Sequence, residues 1–246
     1  MKRSRSEYGD VIIYREADEV AHGAADAFVE IVAGVLGDHE VVRVALAGGS
    51  TPKAMYRLLA SPAYRERVDW KRVEIFFGDE RCVPPDHPES NYRMAREALL
   101  DHVPLGADRV HRILGERSPP EAASAYQQTL IRVAGEKPRL DLVLLGMGPD
   151  GHTASLFPGT PVLDERSLLV APVWVDKLES WRVTLTVPVL SAAAHVVIVT
   201  AGDEKAEALA KALDGARGVV PITLVRAADQ RWLVDEAAAQ KWRGRD

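Results

Sequence analysis

Short apolar, β-branched runs alternate along the chain with longer segments rich in alanine, leucine and glutamate. The apolar runs predict strands at 11–14, 41–47, 73–77, 140–145, 183–187 and 195–200, with a further candidate at 232–234. The segments between them predict helices at 17–36, 52–59, 90–100, 121–134 and 203–213. Several of the strands are apolar almost throughout, which is typical of a parallel sheet covered on both faces. We therefore expect an α/β fold with a doubly wound, mostly parallel sheet and helices on both faces.

Neither an internal repeat nor a long glycine/serine linker interrupts this alternation. The proline-rich segments at 83–90, 118–120 and 157–161 are too short to separate domains. Residues 1–246 are therefore predicted to form a single domain. In a doubly wound fold, ligands bind beyond the carboxyl ends of the strands. We therefore expect the functional residues to follow directly after the strands.

The composition narrows the class of protein. Apolar residues make up 47% and charged residues 27% of the 246 residues, and the net charge of −5 provides no basic field for nucleic acid. The single cysteine, Cys82, excludes an internal disulfide and fits a reducing compartment. No apolar stretch follows the basic start, and no apolar run approaches the roughly 20 residues of a membrane span. We expect a cytoplasmic protein without nucleic-acid or membrane partners.

A glycine-rich turn follows the predicted strand at 41–47. Gly48 and Gly49 permit a tight turn and close approach of a ligand, while Ser50 or Thr51 can cap the next helix. The free N–H groups and the positive dipole end of such a helix attract anions, most naturally phosphate. The motif is not a P-loop, because the G-K-[ST] ending is absent. The alternative is an ordinary strand-to-helix turn with a good cap.

Charged residues follow the predicted strand at 73–77. Asp79 and Arg81 lie where that strand ends, and Arg81 could bind an anionic oxygen while Asp79 holds it in place. The alternative is an exposed ion pair without a function. Ser90 is expected to cap the following helix, which places Asn91 in its first turn near the same edge of the sheet.

The segment 145–158, "LGMGPDGHTASLFP", contains a match to the dinucleotide pattern G-x-G-x-x-G. That fingerprint requires a full helix after the glycines, but Pro158 ends any helix after about 152–157. We therefore interpret the turn as one that brings Gly148 and His152 close to a ligand. A histidine at the end of a strand, next to Asp150, is a candidate general base. Asp150 or a backbone carbonyl could orient it.

Two cations lie near later strand ends. Arg182 stands at the start of the strand predicted at 183–187, and Lys205 lies in the first turn of the helix predicted to begin after Gly202. A lysine there is unfavourable to the helix dipole, which suggests that it meets a ligand anion. The alternative is an ordinary surface lysine.

Together these segments resemble the 6-phosphogluconolactonase family. The matching segments, in the family's order, are "LAGGSTP" (46–52), "FFGDERCVP" (76–84), "SNYRMA" (90–95), "GMGPDGHTASLFP" (146–158), "RVTLT" (182–186) and "AGDEKAEAL" (201–209). Each is weak alone, but the set is highly specific. The resemblance implies a Rossmann-like fold and hydrolysis of 6-phospho-D-glucono-1,5-lactone to 6-phosphogluconate in the oxidative pentose phosphate pathway. It implies no metal and no organic cofactor.

Lactone hydrolysis requires a base, stabilisation of the carbonyl oxygen and a hold on the substrate, and the candidate residues can be assigned to these roles. His152 would activate water, and Arg81, held by Asp79, would stabilise developing negative charge or bind a substrate oxygen. The remaining expected contacts are Gly48, Gly49, Ser50, Thr51, Lys205 and Arg182 with the phosphate, and Asn91 and Gly148 with the sugar. We expect a monomer or a weak homodimer.

Two alternatives differ in function. Glucosamine-6-phosphate deaminases share the glycine turns, but they typically read D-E-Y where this chain has Asp79-Glu80-Arg81. They also carry an acid after the histidine that has no counterpart in the "SLFP" of this chain. A non-catalytic sugar-phosphate sensor would not need both His152 and Arg81.

Overall fold

The structure, a computed structural model, describes residues 1–245. Its strands are β1 (Lys2–Ser6), β2 (Gly9–Tyr14), β3 (Val42–Leu46), β4 (Val73–Phe77), β5 (Asp79–Arg81), β6 (Leu142–Leu145), β7 (Val170–Val175), β8 (Ser180–Leu185), β9 (His195–Thr200) and β10 (Asp229–Asp235). Its α-helices are α1 (Ala17–Asp38), α2 (Ser50–Ala60), α3 (Pro62–Arg65), α4 (Asn91–Ala98), α5 (Pro119–Ala134), α6 (Val187–Ser191), α7 (Ala206–Asp214) and α8 (Glu236–Ala239).

The main sheet has the strand order β1-β2-β10-β9-β6-β3-β4. All neighbouring strands are parallel except β1, which runs antiparallel to β2 at one edge. Every residue of β6 is buried. Because successive side chains of a strand point to opposite faces, this burial means that both faces of the sheet centre are covered. The predicted doubly wound α/β fold is confirmed.

Helix α1 is long and apolar enough to cross a membrane by length and composition alone. Its sequence shows no unbroken apolar run, because Asp26 and Glu30 interrupt the apolar residues. Half of its apolar stretch is buried inside the protein, where the helix packs against β9 and β10. Phe28 of this helix is fully buried and stacks on Trp70 at 5.8 Å. These contacts are those of a core helix.

A second, antiparallel sheet has the order β5-β8-β7. The strand predicted at 183–187 belongs to this sheet as β8, and it ends at Leu185. Strands β1, β5 and β7 were not expected from the sequence. β1 has only polar residues, β5 has only three residues, and Pro172 interrupts the apolar pattern of β7.

Three local predictions were wrong. Residues 152–157 form no helix but a turn, in which Thr153 pairs with Leu156 and Ala154 has a φ of 46°. Gly49, rather than Ser50 or Thr51, is the N-cap residue of α2, and no side chain caps this helix. The helix predicted at 203–213 begins with a short 3-10 turn at 203–205, so Lys205 precedes α7 and does not lie in its first turn. The predicted cap of α4 is confirmed, since the Ser90 side chain accepts a hydrogen bond from the Arg93 N–H.

Candidate active site

A cavity of about 240 Å³ opens at the carboxyl ends of β3, β6 and β9, beside β5. Parallel strands bring their carboxyl ends to the same edge of a sheet, so residues distant in sequence meet there. The predicted site residues that line it are Gly48, Gly49, Ser50, Thr51, Asp79, Arg81, Asn91, Gly148, His152 and Lys205. Arg182 is the exception, because it does not belong to this lining.

The glycine turn forms one wall of the cavity. Gly49 has a φ of +106°, which favours glycine, and it leads directly into the first turn of α2. The first N–H groups of a helix have no partner within the helix, and no acidic side chain lies in this first turn. A Cβ atom on Gly48 would overlap the side chain of Asn91. The turn therefore presents backbone donors to the cavity and needs glycine for its close contact with Asn91.

Strand β5 contributes Asp79 and Arg81, whose side chains lie on the same face because they are two residues apart. Asp79 accepts hydrogen bonds from the Asn91 side chain at 3.2 Å and from the Ser155 hydroxyl at 2.6 Å. The Arg81 guanidinium donates to the backbone carbonyl of Glu89. Within residues 1–245, Asp79 is therefore bonded to Asn91 and Ser155, and the predicted Asp79–Arg81 contact is not found.

Glu80 fixes this segment to the start of α4. Its buried carboxylate accepts hydrogen bonds from the backbone N–H groups of Arg81, Asn91 and Tyr92 and from the Ser90 hydroxyl, at 2.7–2.9 Å. Burial raises the pKa of Glu80, although these hydrogen bonds oppose the change. Glu80 was not identified from the sequence, because nothing in the local sequence shows that its side chain turns inwards.

His152 lies next to Asp150, with 2.5 Å between imidazole Nδ1 and carboxylate Oδ1. Burial raises the pKa of Asp150, but hydrogen bonds from Lys177 and His152 outweigh it and lower the pKa to about 2. An ionised carboxylate can only accept, so the proton of the neutral imidazole lies on Nδ1 and Nε2 keeps its lone pair. Of the two predicted partners, the structure therefore selects Asp150.

The protonation state of His152 suits a base. Burial lowers its pKa below the ordinary 6.5, a change that Asp150 opposes and the charge of Lys177 supports. The imidazole is therefore mostly neutral at neutral pH. One face of the ring stacks on Phe157, with 4.0 Å between the ring centroids and 25° between the ring planes. Neither Phe157 nor Lys177 was identified from the sequence.

Gly148 makes room for this imidazole. A Cβ atom at position 148 would overlap the Cε1 and Nδ1 atoms of His152 and would lie 2.9 Å from an oxygen of Asp150. The Gly148 N–H also donates to the backbone carbonyl of His152 at 2.9 Å. Gly148 thus has a steric role in this turn. A glycine required for space and a glycine that contacts a ligand look the same in a sequence pattern.

The two later cations occupy different places. Lys205 lines the cavity, and its ammonium lies 3.6 Å from the Glu204 carboxylate, which also faces the cavity. Arg182 is only 8% exposed and lies directly opposite Arg81 in the β5–β8 ladder. Burial and the charge of Arg81 lower the pKa of Arg182. Contact of Arg182 with a phosphate stays a prediction.

The chain matches a family model described as glucosamine-6-phosphate isomerases/6-phosphogluconolactonase over residues 15–234. The chain belongs to this family. A 6-phosphogluconolactonase of Streptomyces coelicolor is 34% identical over 96% of this chain and 95% of its own length. Its counterpart in a Nostoc species is 43% identical over 68% of this chain and 70% of its own length.

Solved structures of family members agree with the architecture. The 6-phosphogluconolactonase of Trypanosoma cruzi matches with a TM-score of 0.83 and 30% identity, over 98% of both chains. A monomeric glucosamine-6-phosphate deaminase matches with a TM-score of 0.80 but only 21% identity, so it shows the shared fold alone. The family resemblance stated from the sequence is confirmed. Within residues 1–245, no group of three or more His, Cys, Asp or Glu side chains could hold a metal ion.

Proposed function

We propose that this family member hydrolyses 6-phospho-D-glucono-1,5-lactone to 6-phospho-D-gluconate. One observation carries the proposal. A neutral imidazole whose Nε2 has no hydrogen-bond partner among residues 1–245, a guanidinium and the N-terminus of α2 line the same cavity. These groups meet the needs of lactone hydrolysis, which are a base for water, a cation for the developing oxyanion and a site for the phosphate.

In the proposed mechanism, His152 Nε2 removes a proton from water as its oxygen attacks the lactone carbonyl carbon. Negative charge develops on the carbonyl oxygen, and Arg81 stabilises it. The bond from the carbonyl carbon to the ring oxygen then breaks, and the imidazolium returns its proton to that oxygen, which becomes the C5 hydroxyl. The new carboxylic acid ionises at neutral pH. Asp150 stays ionised throughout and stabilises the transient imidazolium.

The substrate's phosphate would bind to the backbone N–H groups at the start of α2, with Lys205 supplying a positive charge. Binding of the dianion would draw Lys205 away from Glu204, which is more than half exposed and can remain hydrated. Asn91, held by its contact with Asp79, would donate to or accept from a sugar hydroxyl. In this proposal, the lactone ring would lie between the glycine turn at the start of α2 and the turn that carries His152.

The experiment that tests the function is hydrolysis of freshly generated 6-phosphogluconolactone, with spontaneous hydrolysis subtracted. His152→Ala is expected to lower kcat by roughly 10²- to 10⁴-fold, the usual contribution of a general base. The matched control is His195→Ala, because His195 also binds a carboxylate through Nδ1, 2.6 Å from Asp229, but stands at the start of β9, away from the cavity. That variant should retain wild-type kcat.

Near-normal kcat in His152→Ala would remove histidine from the mechanism. Release of ammonia from glucosamine 6-phosphate, without lactone hydrolysis, would assign the chain to the deaminase branch of the family. We further propose a cytoplasmic monomer or weak homodimer without membrane or nucleic-acid partners. This rests on the acidic composition and the single cysteine, and gel filtration of the full chain tests the oligomeric state.

A further inference from the structure

The hairpin formed by β7 and β8 brings a second cation to the proposed base. Its tip, Asp176–Leu178, is a 3-10 turn followed by Glu179 in the left-handed region, with a φ of 45°. This turn directs the Lys177 ammonium to Oδ2 of Asp150. The other carboxylate oxygen, Oδ1, accepts from His152 Nδ1. Asp150 is thus held between an ammonium and the imidazole.

The same lysine also reaches the other neighbour of the imidazole. The Lys177 ammonium lies 4.8 Å from the ring centroid of Phe157, a distance at which a cation is attracted to the face of an aromatic ring. Phe157 in turn stacks on His152. Lys177 therefore contacts both the carboxylate and the aromatic ring that fix the position of the imidazole, although it lies outside the lining of the cavity.

We propose that Lys177 is a positioning residue for His152, acting through Asp150 and Phe157. By binding Oδ2, it holds the carboxylate against Nδ1 and so keeps the proton on that nitrogen. By sharing the negative charge of Asp150, it lessens the tendency of the imidazole to take up a second proton. The catalytic consequence rests on the proposed role of His152 as the base, whereas the effect on the imidazole itself does not.

The charges around His152 determine the sign of the effect. The charges of Asp150 and Asp79 raise its pKa, and the charge of Lys177 lowers it. Arg81, Glu204 and Lys205 line the same cavity. Removing the Lys177 ammonium deletes a charge that opposes imidazolium and leaves the Asp150 carboxylate to interact with His152 alone. Both changes favour the protonated form, so the pKa of His152 should rise.

The direct test is NMR titration of the imidazole in the full chain labelled at histidine, with the His152 signal assigned from its absence in His152→Ala. In Lys177→Met, the His152 pKa is expected to rise by about one unit, as is typical when a nearby charge is removed. Lys177→Arg keeps the positive charge and should titrate close to wild type. Lys211→Met is the matched control, because Lys211 pairs with Glu207 on the exposed side of α7.

The pH dependence of kcat/KM provides a second test. In Lys177→Met, the acid limb of kcat/KM against pH should move upwards with the imidazole pKa, from below pH 6.5 in wild type, so that activity at pH 6 falls several-fold more than at pH 8. An unchanged His152 titration in Lys177→Met would overturn the proposal, even if activity fell. If wild type lacked lactonase activity while the titration still shifted, the proposed function would fail and the positioning role would stand.

Discussion

Gly148 provides a sharp test of how closely the imidazole must be placed. Position 148 does not have a positive φ, so an alanine there suffers no backbone strain. Its added Cβ would instead overlap Cε1 and Nδ1 of His152. The neighbouring atoms are side-chain atoms, so the imidazole must move while the backbone of the turn can stay. In Gly148→Ala, a single added methyl group is therefore expected to displace the imidazole of the proposed base.

The expected loss of activity follows from the size of that displacement. Relieving the overlap requires the ring to shift by about an ångström, and a misplacement of that size costs on the order of 10²-fold in rate. The shift also breaks the short contact between Nδ1 and Asp150. The free energy of unfolding should fall by about 1–3 kcal/mol, the usual cost of an extra methyl group in a packed site.

The assay is lactone hydrolysis by Gly148→Ala, compared with Gly146→Ala in the same loop. A Cβ at Gly146 would have its nearest contacts at 3.8 and 4.0 Å, which is ordinary van der Waals distance. Gly146→Ala should therefore keep kcat within a few-fold of wild type. Combining Gly148→Ala with His152→Ala should cost no more than His152→Ala alone, because both act on one group. A wild-type kcat in Gly148→Ala would refute the reasoning.

Two further variants test the phosphate site and the support of β5. Lys205→Ala should raise KM by roughly 10- to 100-fold with kcat little changed, because one hydrogen bond to a charged group contributes about that much to affinity. A large loss of kcat at constant KM would instead show that Lys205 takes part in the chemical step. Glu80→Ala should lower the free energy of unfolding by about 3 kcal/mol in urea. It leaves three N–H groups without their acceptor, of which that of Asn91 is buried and those of Arg81 and Tyr92 are partly buried. Glu97→Ala, on the exposed side of α4, should lower the free energy of unfolding far less than Glu80→Ala, and equal losses in both would contradict the argument.

The main sheet was predictable because its strands are buried on both faces. A run such as "LVLL" in β6 needs no knowledge of its neighbours to be recognised as a buried strand. Strand β1, "KRSRS", is an exposed edge strand held by its pairing with β2. Its stability comes from backbone hydrogen bonds to a partner, and these leave no hydrophobic pattern in the sequence. The same reason explains why β5, with its charged residues, was overlooked.

The site residues were predictable where the sequence of a single turn is enough to identify them. Glycines next to a strand end mark the start of α2 and the turn before His152, and both line the cavity. The partners of charged side chains were not predictable in this way. Asp79 and Arg81 carry opposite charges at the end of one strand, which suggested that they contact each other. In the structure their common strand extends both side chains in parallel, so Asp79 meets Ser155 and Arg81 meets the Glu89 carbonyl.

Lys177 shows the limit of local reasoning most clearly. Its segment is a turn between two strands, where a lysine is ordinarily solvated and without a role. What gives it a role is that β8 pairs with β5, outside the main sheet, so the hairpin tip reaches the turn that carries His152. That pairing joins residues about a hundred positions apart, and no periodicity encodes it. A cation supplied from a second sheet can change the pKa and the orientation of a base without appearing in the motif that contains the base. Motif-based assignment therefore finds the base of such a site more readily than the groups that determine its protonation.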